Sequence, residues 1–138
     1  MNRWLIAAGL MDGAAAALHL GCIIGGPAWY RFFGAGEAMV AMAERGMVRP
    51  TLITLAIAAI LAIWGAYAFS GAGLLPRLPL LRPALVAIAA VFLARAAALP
   101  LLFRVMPDRS PTFLWTSSAI VLAIGIVHAI GVMTLTTD

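Results

Sequence analysis

Four long apolar runs, separated by short stretches rich in glycine, proline and arginine, set the pattern of this chain. The runs cover about residues 4–26, 51–69, 84–104 and 113–135, each close to the roughly 20 residues that a helix needs to cross the hydrocarbon core of a bilayer. The pattern predicts an all-α fold. Residues 1–138 form one integral membrane domain, a bundle of four transmembrane helices, with a short interfacial helix between the first two. Gly25-Gly26-Pro27 ends the first helix, because proline offers no backbone donor and the two glycines favour a turn. The connection that follows opens with Trp29-Tyr30-Arg31-Phe32-Phe33, aromatics flanking an arginine, which suits the membrane–water boundary. Beyond Gly34-Ala35-Gly36, Glu37 and Glu44 share one helical face while Met39, Val40 and Met47 can turn towards lipid or bundle, so a helix lying in the interface is expected there. Trp29, Tyr30, Arg31 and Glu37 are the candidates for a lid over the space between the helices. Residues 70–83 read as an irregular turn, and Pro100 is expected to kink the third run.

Composition agrees with this pattern. The chain has 138 residues, 64% hydrophobic and 10% charged, against about 25% charged in soluble domains. Its mean hydropathy is +1.07. The net charge of +4 does not imply nucleic-acid binding, because the basic residues sit mainly at the ends of apolar runs, where topology determinants lie. All nine basic residues are arginine, and with abundant alanine, glycine and proline this suggests a GC-rich bacterial genome and an inner-membrane location. The first run continues to about Gly26 and contains Asp12, so it reads as a retained span rather than a signal peptide. Counting arginines in the loops would place both termini outside; Arg3 before the first span favours termini on the cytoplasmic side, which is the expectation adopted. The single cysteine, Cys22, reads as a small buried residue.

Polar residues inside the runs are costly in hydrocarbon and therefore mark candidate sites. Asp12 and His19 are seven residues apart on one face of the first span. With a rise of 1.5 Å per residue, and depth measured from the side holding both termini, Asp12 lies about 12 Å deep, Arg95 about 16 Å and His128 about 10 Å. A mid-membrane arginine needs a carboxylate, so an Asp12–Arg95 ion pair with His128 beside it is expected, as structural glue, proton relay or headgroup anchor. His19, at about 22 Å, is level with Ser117 and Ser118 and forms a second candidate ligand or proton site with them. Trp64 and Tyr67, three residues apart on one face, are interface anchors or pocket lining. Gly9, Gly13, Ala17, Gly21 and Gly25 form a row of small residues suited to close approach by another helix, within the bundle or from a second copy or partner protein.

The depth difference between His19 and His128 argues against a shared haem, and no His/Cys/Glu cluster has metal-ligand spacing. No nucleophile motif, phosphate loop or dinucleotide fingerprint is present, and the residues specify no cofactor. The four spans, the Gly25-Gly26-Pro27 end of the first helix and the stretch Tyr30-Arg31-Phe32-Phe33-Gly34-Ala35-Gly36-Glu37 resemble the DoxX-like small bacterial membrane proteins in layout. That resemblance implies an accessory or redox-associated role and carries no functional residue. The leading expectation is a binding or accessory protein that holds a lipid, a quinone-like or other apolar molecule, or a partner membrane subunit. A membrane enzyme or oxidoreductase subunit using His19 or His128, and a proton-coupled transporter, are the alternatives.

Overall fold

The structure is a computed structural model, and it describes residues 1–136. Seven helices and no strands occupy them: α1 (Arg3–Gly25), α2 (Pro27–Phe32), α3 (Glu37–Glu44), α4 (Arg49–Gly71), α5 (Leu81–Ala97), α6 (Leu99–Val105) and α7 (Pro111–Met133). The helices α1, α4 and α7, each of 23 residues, are long and apolar enough to cross a membrane. The pair α5 and α6 passes the same test together but is bent by 62° at the break between them.

The boundaries follow local chemistry. Asn2 caps α1 by accepting from the Leu5 amide, and its own amide nitrogen donates to Gly131 O at 2.8 Å, which ties the start of α1 to the end of α7. Gly26, at φ +69°, adopts a left-handed turn that a side chain would disfavour. Pro27 then starts α2, a helix that the sequence pattern did not predict, because proline fits a first helical turn as well as it ends a preceding one. Ser110 caps α7 through the Phe113 amide. Between α4 and α5, Ser70 accepts from the Leu78 amide and donates to Pro76 O, so the irregular 72–80 turn is knitted to the last turn of α4.

Four helices pack side by side with alternating direction. α1 lies most extensively on α4 and α5 on α7, and the contact of α1 with α7 joins the two pairs. Leu5 packs against Gly71 of α4 and Gly131 of α7, so one end of the bundle gathers the start of α1 with the ends of α4 and α7. A continuous apolar core runs from Leu5, Ala8, Leu81 and Leu85 to Leu61, Phe92 and Ile124. At the other end Tyr30, Val40 and Cys22 make a smaller cluster under α2 and α3. Large apolar residues such as Leu10, Ile24, Ile63, Val86 and Ile126 face outward, as lipid-facing positions would.

The row of small residues on α1 is not a continuous helix–helix seam. Gly9 receives the Phe69 ring of α4, and Gly21 and Gly25 lie under the Trp29 indole, while Gly13 has open space and Ala17 is exposed. Gly9→Ala is expected to lose about 1–3 kcal/mol of unfolding free energy, because the added carbon would lie 2.7 Å from the Phe69 ring. Gly13→Ala, where nothing lies within 4 Å, is expected to gain about 0.5–1 kcal/mol from helix propensity. Thermal unfolding in detergent distinguishes the two.

Candidate functional site

The α1–α7 contact carries a buried acid–base pair. Nε2 of His128 lies 3.1 Å from Oδ2 of Asp12, and both side chains are fully buried. Phe92 of α5 covers the imidazole at 5.3 Å between ring centroids, and Trp64 of α4 meets Phe92 edge-on at 5.1 Å. Gly65, next to Trp64, lets α4 approach the Asp12 β-carbon. One layer thus takes a side chain from each of α1, α7, α5 and α4.

The tautomer of His128 is set by its second nitrogen. Nδ1 lies 3.0 Å from the carbonyl oxygen of Ile124, one turn earlier on α7. A carbonyl only accepts, so Nδ1 carries a proton and donates. Nε2 is then either protonated beside an Asp12 carboxylate or a lone pair accepting from an Asp12 carboxylic acid. In both states the pair holds one proton, on Nε2 or on the carboxyl group, and is neutral overall. A bare carboxylate without that proton would bear the large desolvation cost of an isolated buried charge. Neither Asp12 oxygen nor His128 Nε2 makes an aligned hydrogen bond among the described residues, so the 3.1 Å approach is a close acid–base contact.

The expected Asp12–Arg95 ion pair does not form. The depth comparison counted Arg95 from a span start at about residue 84, whereas α5 begins at Leu81, which sets Arg95 about 4.5 Å deeper and level with Ser117 and Ser118. The helix ends at Ala97, so Arg95 falls in its last turn, where a cation also complements the helix C-terminus. There its Nη1 donates to Ser118 Oγ at 3.0 Å and its Nη2 to Ser117 Oγ at 3.1 Å. Ser117 in turn donates to Leu114 O. The charge of Arg109, whose guanidinium lies 5.5 Å over the Phe113 ring, also reaches Arg95.

The remaining candidates separate. His19 is half-buried and its Nδ1 contacts Ala15 O at 2.7 Å on its own helix, so the expected grouping with Ser117 and Ser118 gives way to the Arg95 fork. Trp64 faces the interior layer, whereas the hydroxyl of Tyr67 donates to Pro79 O in the turn after α4. In the lid segment, Trp29 covers Gly21 and Gly25, and buried Tyr30 shares a 3.1 Å hydrogen bond with Thr54 of α4. Arg31 pairs with Glu44 at 2.7 Å, which ties α2 to α3 and holds the guanidinium above its ordinary range; Glu37 adds to the same field. Phe92 was missed by sequence reasoning, since an aromatic inside an apolar run gives no pattern of its own.

No protein-family model, curated protein or solved structure matches the chain. The layer and the arginine fork therefore rest on their own geometry.

In protein labelled with ¹⁵N-histidine, His128 Nδ1 is expected to resonate as a protonated, pyrrole-type nitrogen at neutral pH. A pyridine-type Nδ1 would contradict the Ile124 hydrogen bond and the shared-proton arrangement.

Proposed function

We propose that this chain is a four-span integral membrane protein of the bacterial inner membrane, with the bent α5–α6 pair as its third span and α3 lying in the interface. Its role is binding or accessory, exercised on the flank of the bundle rather than through its centre. The layout is that of the DoxX-like small membrane proteins. One observation carries the reading: Asp12 and His128 are fully buried, face each other and are sealed by Phe92. A pair so enclosed supports an architectural role, because acid–base chemistry or proton transport needs its groups to meet a substrate or water. Arg95, by contrast, is only partly buried, and its contacts are neutral hydroxyls. That supports polar recognition at the edge of the bundle, open to lipid-borne molecules or partner helices.

Native mass spectrometry of the full chain, purified in mild detergent and mixed with a polar lipid extract, tests the reading. Adducts of lipid mass, or a second protein subunit, that survive gentle activation are expected. Bare protein at every activation energy, together with proton flux in reconstituted vesicles, would contradict it.

A further inference from the structure

Asp12 and His128 are the two ionisable side chains with no exposed surface among the described residues. Every other group packed on them is uncharged: α5 brings Phe92, and α4 brings Trp64 and the backbone at Gly65. The remaining ionisable residues of the four helices are placed elsewhere. His19 lies two turns further along α1 against Ala15 O, Arg95 holds Ser117 and Ser118, and the Tyr67 hydroxyl donates to Pro79 O. Cys22 belongs to the cluster under α2 and α3, and Arg3, Arg49 and Arg82 stand in the first turns of α1, α4 and α5. A net charge on the pair would therefore meet no counter-ion. The one aligned hydrogen bond left to stabilise it is that from His128 Nδ1 to Ile124 O.

The pair also sits where the bundle is held least. α1 lies far less extensively on α7 than on α4, α7 lies more on α5 than on α1, and the contact of α4 with α5 is smaller still. The other polar link between α1 and α7 runs from the Asn2 amide to Gly131 O and Thr134 Oγ1 at the end of the bundle.

We propose that Asp12 and His128 form a pH-sensitive latch on the α1–α7 joint, at full strength while the pair holds one proton and weakened by conditions that add or remove one. Protons exchange with the pair when the joint is open, so the effect is a linkage between protonation and closure and needs no path through the closed bundle. In the open chain the carboxyl group ionises near pH 4 and the imidazole near about pH 6.5. Between these values the open chain also holds one proton, and closure does not respond to pH. Above about pH 6.5 the open chain holds none while the closed pair keeps one, so closure weakens as pH rises. Below about pH 4 the open chain holds two, so closure weakens as pH falls. The pair titrates as a unit, and each limb changes the unfolding constant about tenfold per pH unit. The latch acts at the joint and is independent of what binds at the flank.

Equilibrium unfolding of the full chain in detergent, measured across about pH 3–9, tests this. The variant carrying both Asp12→Leu and His128→Leu supplies the background from all other groups. Relative to it, wild type is expected to hold a plateau between about pH 4 and 6.5, with the unfolding constant rising about tenfold per unit on either side. Asp12→Asn leaves a neutral imidazole beside an amide, so its closed form holds no proton that the open form lacks at neutral pH. Its plateau is expected above about pH 6.5 and its loss of stability below, the reverse of wild type. Wild type as flat as the double variant above pH 6.5, or a slope there shared by wild type and Asp12→Asn, overturns the proposal. If the double variant does not fold, wild type against Asp12→Asn decides alone, because every other titrating group is common to both.

Discussion

A carboxyl group and an imidazole fully buried side by side are stable together when they share one proton and stay neutral overall, and much of this structure follows from that constraint. Asp12 sits on α1 and His128 on α7, the two helices that join the α1–α4 pair to the α5–α7 pair. Lipid is as apolar as the side chains it surrounds, so apolar burial alone gives membrane helices little reason to choose one partner or register. A polar pair does, since each member is stranded if the helices slide by one residue. The second polar link between the same helices, from Asn2 to Gly131 O, lies at the end of the bundle and fixes the same register from there.

The surrounding residues are arranged to accept this pair. Gly65 brings α4 close to Asp12, Phe92 closes over the imidazole, and the Ile124 carbonyl selects the tautomer. Polar character elsewhere is disposed differently. The Arg95 fork and the Arg31–Glu44 pair are partly or fully exposed, near the ends of the helices, where charge is cheaper to hold. The centre is thus built for fixed packing, and the charged groups are kept at its edges.

How much of this was legible in the sequence depended on whether a local signal existed. The apolar runs gave the positions of the long helices, and the depth arithmetic put Asp12 level with His128. The same arithmetic misplaced Arg95, because Pro83 read as the end of the preceding turn, whereas α5 begins at Leu81 with the proline in its first turn; the break at Ala98 likewise leaves little trace beyond Pro100, whose fixed φ suits the second position of a new helix as readily as a kink. The small-residue row on α1 was visible as a pattern, but its occupants were not: Phe69 of α4 covers Gly9 and Trp29 of α2 covers Gly21 and Gly25, and tertiary packing alone decides that. Phe92 and the serine fork likewise depend on which helices become neighbours, which periodicity does not encode.

The claim that Asp12 and His128 act as one structural unit is tested most directly by a double-mutant cycle, with equilibrium unfolding in detergent as the readout. Asp12→Leu and His128→Leu are each expected to cost about 3–5 kcal/mol, because each leaves its partner buried and unmatched. The double variant recovers most of that loss, since neither polar group then remains. Losses that simply add in the double variant would show that the two residues stabilise the fold independently, and would contradict the account.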